Sequence, residues 1–177
     1  FFIPAISMSL IARERNLGTM EIISTLPLKN HEFVLGKYLA VVSLILIGLL
    51  VTFVHFFTLI NVGTNVDYGA AFCGYFGLAL VGALYASAGT FASSLTDNQV
   101  VSFIIAVFIV IVFWLMDKLL IFVPSGMAGL VQFLSVDYHL TSISRGVIDT
   151  RNLIYFGSVI GFFLFLTIQI LEVRKWK

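Results

Sequence analysis

Between Tyr38 and Leu171 the chain carries four apolar stretches, each near the length a lipid bilayer demands, with the charges gathered in the gaps between them. Crossing the hydrocarbon takes roughly 20 apolar residues as a helix, and backbone polar groups in lipid must be satisfied within the segment. Residues 38–60, 72–93, 100–116 and 153–171 meet both conditions. A mean hydropathy of +1.08 with 11% charged residues leaves no room for a soluble domain of this size. The predicted fold class is all-α, a polytopic transmembrane helical bundle forming one domain over residues 1–177.

The gaps set the orientation. Lys and Arg concentrate on the cytoplasmic side of membrane proteins. The first gap holds Arg13, Arg15, Lys29 and Lys37, and the tail holds Arg174, Lys175 and Lys177. The 61–71 gap has no basic residue, whereas the 117–152 gap has Lys118, Arg145 and Arg151. Alternating sides from the first gap places seven basic residues inside and three outside, with the short 95–99 turn and the C-terminus cytoplasmic. Residues 1–12 are too short to span and lack the basic start and cleavage site of a signal peptide. They are expected to be the tail of a longer helix whose earlier part is missing. Trp114, Tyr155 and Trp176 fall near predicted span ends, where amphipathic rings anchor at headgroup level. The single cysteine, Cys73, excludes an internal disulfide and is expected to be a small packing residue. A net charge of +1 gives no reason to expect nucleic acid as a partner.

The loop over residues 13–36 is too polar to span and too patterned to be a linker. Gly18 breaks the chain, Thr19 stands where an N-cap belongs, and Glu21 follows in the first turn, where a carboxylate favours the positive helix end. Met20, Ile23 and Leu26 recur every three residues and make one apolar face. Pro27 disfavours helix at Leu26 and stops the element after about two turns. A second helix starts at Asn30 and runs into the membrane through Gly36 and Lys37. The physics allows two readings, an interfacial helix lying in the headgroups or a docking knob for a cytoplasmic partner.

Here the pattern resembles a known family. Arg13-Glu14-Arg15-Asn16-Leu17-Gly18-Thr19-Met20-Glu21-Ile22-Ile23, then Leu26-Pro27-Leu28 and Leu35-Gly36-Lys37, resembles the loop signature of ABC-2 type transporter permeases. The Ser93-Ser94-Leu95-Thr96-Asp97-Asn98-Gln99 turn is similar to the matching intracellular turn of that group. Phe133-Leu134-Ser135-Val136-Asp137-Tyr138-His139, Ser142–Asp149 and the Leu171–Trp176 ending resemble the gliding-motility-associated branch. The resemblance implies a multi-pass subunit of the bacterial inner membrane with six spans, of which this chain would lack the first and most of the second. It implies a coupling helix resting on a separate cytoplasmic ABC ATPase subunit, which would hold the ATP and Mg²⁺, so that this chain binds no cofactor itself. It implies a second permease copy as partner, with room for an extracytoplasmic accessory subunit. Arg13, Glu14, Arg15, Gly18, Thr19, Glu21, Ile23 and Pro27 inherit the coupling role. Met20-Glu21-Ile22-Ile23 departs from the commoner leucines but keeps the apolar face.

Other function classes lack their chemistry. No Walker-type G-x-x-x-x-G-K-[ST] occurs, since Gly36-Lys37 is followed by Tyr38 and has no glycine at the required offset. Ser87, Ser93 and Ser94 have no neighbouring His–Asp pair, so no catalytic site is expected. His31, His55 and His139 stand apart with no H-x-x-x-H pair, so no metal site is expected. His55, within the first full span close to Thr52, is expected to face the bundle and make an interhelical hydrogen bond. No Asp, Glu, Lys or Arg lies inside any complete span. Ion-coupled carriers generally place such groups near the midplane, so an external energy source is favoured. A non-transporting membrane scaffold for envelope or motility machinery stays open as an alternative to the exporter.

Two further features concern packing. Gly82, Ala86, Gly89 and Ser93 are spaced four, three and four apart and share a helix face where another backbone can approach closely. This serves packing within the subunit or an interface between subunits. Residues 117–152 are largely apolar yet broken by Pro124-Ser125-Gly126, and neither half can cross. They are expected to form a re-entrant or interfacial hairpin on the outer side, with Asp137 and Asp149 as helix caps.

Overall fold

In lipid the backbone has no water to turn to, so a chain this apolar satisfies its own amides as helix. A computed structural model describes residues 1–20, 29–62, 67–119 and 125–175. Among the described residues there are eight helices: α1 (Phe2–Ser7), α2 (Ala12–Asn16), α3 (Asn30–Val62), α4 (Tyr68–Leu95), α5 (Gln99–Leu119), α6 (Ser125–Leu134), α7 (Val136–Ser144) and α8 (Thr150–Lys175). Four of them are long and apolar enough to cross a membrane: α3, α4, α5 and α8. These coincide with the four stretches expected from sequence, each helix running several residues beyond the apolar segment. The protein is a multi-pass, all-helical membrane protein.

The α4 helix is the hub. It packs against α1, α2, α3, α5, α7 and α8, most extensively against α8. Its first turn is capped by Asp67, whose Oδ1 accepts from the amides of Gly69 and Ala70 at 3.0 and 3.1 Å. The central position follows from side-chain size. Gly77, Gly82, Ala86, Ala88, Gly89 and Ala92 are all buried in α4, and small residues let neighbouring backbones close in. A Cβ added at Gly82 would come within 2.9 Å of Ile45 Cγ2 on α3, and one at Gly77 within 2.8 Å of Leu140 Cδ1 on α7. The stripe over Gly82, Ala86, Gly89 and Ser93 thus packs inside the subunit. By contrast α3 and α5 line the perimeter, with Leu50, Val54, Phe57, Ile104 and Phe108 exposed. Such faces suit lipid as well as they suit protein.

Two apolar clusters divide the bundle. Ile11, Val34, Tyr38, Val41, Ile45, Ala86, Leu164 and Leu171 pack near one end. Cys73, Leu84, Val136, Ile143, Tyr155 and Phe156 pack towards the other. Cys73 is buried there, the packing role expected of it.

Several expectations require correction. Residues 1–12 are not one continuous helix. The chain breaks between α1 and α2, because the Ser7 hydroxyl bonds back to Ile3 O at 2.8 Å and Ser93 captures backbone groups at the break. Tyr155 is not a headgroup anchor. It is buried and donates its hydroxyl to Leu134 O at 2.6 Å. Trp114 is exposed on α5, and Trp176 lies outside the described residues. His55 makes no hydrogen bond from its ring to any described residue. It is exposed and lines an open groove with Phe56, Ala71, Gly74, Tyr75 and Leu78. The bond between α3 and α4 at this depth comes instead from Tyr75, whose hydroxyl donates to Thr52 O at 3.0 Å. The described part of residues 117–152 includes two short helices, α6 and α7, joined at Ser135. The α7 cap is Ser135, accepting from Tyr138 N, because it directly precedes the helix while Asp137 already sits in its first turn. Asp149 caps α8, with Oδ1 accepting from Arg151 N at 3.0 Å.

Candidate functional site: a clamped loop at one end of the bundle

The basic loop begins as α2, where Arg13, Glu14 and Arg15 occupy successive positions. Gly18 ends the helix with φ +70°, a left-handed conformation that costs a residue with a Cβ about 1–2 kcal/mol. Its amide donates to Arg15 O at 3.0 Å, and Leu17 N donates to Arg13 O at 3.0 Å. The chain is thereby turned back towards α3.

Ser93 holds the upstream break. Its Oγ accepts from both Ile11 N and Ala12 N at 3.0 Å and donates to Met8 O at 2.9 Å. Two amides and one carbonyl freed by the interruption are thus satisfied by one side chain from the end of α4. Four residues earlier Gly89 receives Ser7 of α1. Arg15 reaches over the C-terminal end of α4, donating to Ser94 O at 2.6 Å and pairing with Asp97 Oδ1 at 3.5 Å. A guanidinium over the last carbonyls of a helix meets the negative end of its dipole.

Glu14 ties the same loop to α3. Lys37 Nζ donates to Glu14 Oε1 at 2.8 Å, and Thr19 donates to Oε2 at 2.5 Å. These hydrogen bonds, Lys37 first and Thr19 second, hold the Glu14 carboxyl below its ordinary 4.5 against the opposing effect of burial. Lowered acidity means that this tie stabilises the fold at and above the ordinary carboxylate range and fades as pH falls through the depressed value. Hydrogen exchange at residues 13–20 is therefore expected to speed up below about pH 4 relative to a Glu14→Gln protein, which carries no charge to lose. Equal protection ratios at pH 6 and pH 3.5 would remove the ion pair from the account.

Arg13, Glu14, Arg15, Gly18, Thr19 and Ser93 therefore meet within one end of the bundle. Arg13 on α2 and Leu17 at its C-cap, four positions on, remain exposed. Thr19 and Met20 are helical. Glu21, Ile23 and Pro27, and with them the body of the expected short helix, lie outside the described residues. The backbone amides that Thr19 was expected to cap fall there as well. The sequence reading missed the tertiary partners Ser94, Asp97 and Lys37, although all three sit in stretches it had singled out. Nothing in the spacing reveals that Arg15 meets Ser94, 79 positions on, or that Glu14 meets Lys37, 23 positions on.

The described residues thus form an all-helical, multi-pass bundle with a loop pinned between two span ends. Residues 1–145 match the model of the ABC-2 family transporter protein, and the chain belongs to that family. Its members are membrane transport components and are not themselves catalytic. No curated protein and no solved structure matches the chain.

Proposed function

We propose that this protein is the membrane-spanning permease subunit of an ATP-driven exporter, powered by a separate cytoplasmic ATPase subunit. The observation that carries the reading is the double clamp. Glu14 fastens the loop to α3 through Lys37, and Arg15 with Ser93 fastens it to the end of α4. A force applied to the loop would move two spans as one body, since packed helices shift as units rather than deform. The exposed Arg13 and Leu17 offer a mixed charged and apolar face to the engine, and the family pattern adds Glu21, Ile23 and Pro27 to the coupling residues. On this reading the loop and the C-terminus are cytoplasmic, a second permease copy completes the transporter, and the membrane is a bacterial inner membrane. The sequence pattern around Phe133–Asp149 favours the gliding-motility-associated branch and leaves the cargo open.

Binding and coupling separate experimentally. Glu21→Lys is expected to abolish co-purification with a candidate ABC ATPase subunit. Replacing Glu14 and Arg15 together by Ala is expected to preserve co-purification while cutting substrate-stimulated ATP hydrolysis in vesicles at least fivefold. Full stimulation in the double variant would sink the clamp as the transmission element. An ATPase that binds with no flux of any cargo would favour the scaffold.

A further inference from the structure

At the end of α4 remote from the clamp, a cavity of about 360 Å³ opens between α7 and the start of α8. His139, Ser142, Arg145, Asp149, Arg151 and Asn152 are among its walls. His139 is 1% exposed and stacks on Tyr155 with ring centroids 4.0 Å apart. Its Nδ1 lies 2.7 Å from Asn152 Oδ1 and its Nε2 lies 2.9 Å from Phe133 O. A neutral imidazole has one N–H, so two oxygen partners are both satisfied only by an imidazolium. As the structure places it, the amide turns Oδ1 to the ring and leaves its Nδ2 donor over. Asn152 is 5% exposed, and its Nδ2 has no partner among the described residues. A buried polar atom left unpaired is destabilising, so the site is poised to accept a partner.

The charges around this cavity are unbalanced. Among the described residues Arg145 and Arg151 take part in no ion pair. Asp149, the carboxylate on the same wall, is committed to the Arg151 amide and the Thr150 hydroxyl at the start of α8. Helix α8 adds the positive end of its dipole, which favours anions. Guanidinium groups match the oxygens of phosphate in a two-pronged fashion that an ammonium cannot. The volume exceeds what a bare ion needs and lies in the range of small-ligand pockets.

We propose that this cavity binds a phosphoester group, held by Arg145 and Arg151 over the α8 N-terminus with Asn152 and His139 as the buried floor. The cavity sits at the start of α8, just before the span over residues 150–173. A phosphodiester of a lipid headgroup and a soluble phosphoester both reach it there. This site is independent of nucleotide-driven coupling, and its test involves no ATPase.

The purified protein in a maltoside detergent, which carries no phosphate, would be titrated with phosphatidylglycerol, followed by native mass spectrometry. Separately it would be titrated with glycerol 3-phosphate, followed by calorimetry. Saturable binding in at least one arm is expected, weakened at least tenfold by Arg145→Gln with Arg151→Gln. The single Arg145→Gln is expected to fall between. Lys118→Gln, a charge at the same end but outside the cavity walls, should leave affinity unchanged. Binding confined to phosphatidylglycerol assigns the site to a lipid, and binding of glycerol 3-phosphate assigns it to soluble phosphoesters. No saturable binding in either arm overturns the proposal. So does affinity indifferent to both arginines, or an equal loss from Lys118→Gln.

Discussion

Replacing Gly89 by Leu is expected to yield little or no correctly assembled protein. A Cβ at this position would lie 1.9 Å from Ser7 Oγ and 2.6 Å from Ser7 Cβ, and Ser7 is itself fully buried. Neither residue has free space to retreat into, because α1 is held against α4 by the same contact. Even Gly89→Ala should cost about 1–3 kcal/mol, the usual range for overpacking a close-fitted site. The geometry also predicts a rescue. Ser7 Cα would stand 4.0 Å from the new Cβ, an ordinary van der Waals distance, so Ser7→Gly combined with Gly89→Ala should recover part of the loss. Thermal unfolding in detergent, run as a double-mutant cycle, reads the effect. Strict additivity of the two changes would show that α1 does not rest on Gly89, since residues in contact normally couple by 0.5–3 kcal/mol.

The second large effect belongs to Ser93. Ser93→Ala removes the acceptor for two amides and the donor for one carbonyl at the break between α1 and α2. Each orphaned buried donor costs about 1–3 kcal/mol, so a total of about 2–6 kcal/mol is expected. The neighbouring Ser94 is the control. Its hydroxyl donates only to Phe91 O within its own helix at 2.7 Å, while Arg15 uses the Ser94 carbonyl, which substitution leaves in place. Ser94→Ala should therefore change stability by well under half as much. Comparable losses from the two variants would mean that bundle-wide packing, rather than these hydrogen bonds, holds the break. Because α2 carries Arg13–Arg15, loosening the break should also expose residues 12–20 to faster hydrogen exchange.

How far the sequence reaches is uneven, for identifiable reasons. The four spans were legible because hydrocarbon thickness sets a length and lipid forbids unpaired amides, two conditions local to each segment. The small residues of α4 were legible as a packing face because 3.6-residue periodicity is also local. Their partners were not. That Gly82 takes Ile45, Gly77 takes Leu140 and Gly89 takes Ser7 depends on how α1, α3 and α7 are threaded around α4. His55 and Tyr155 went astray for the same reason. An ionisable ring in a span invites a buried partner, and a tyrosine near a span end invites a headgroup. Only the neighbours decide, and they left His55 outward and drew Tyr155 inward beneath His139.

The candidate sites divide along the same line. The Arg13–Met20 motif could be read residue by residue because its helix end, its left-handed glycine and its charge run are properties of consecutive positions. Its attachment to Lys37, Ser93, Ser94 and Asp97 was hidden, since those contacts close only when three helices converge. The cavity between α7 and α8 was hidden more deeply, because Arg145, Arg151 and Asn152 become a charged wall only once the hairpin folds back onto the bundle. Residue order alone determined the class of protein and its four apolar spans, since bilayer solvation and helix periodicity act within a segment. Which side chains meet across the bundle was decided by tertiary packing, where one missing Cβ sets how near two backbones can come.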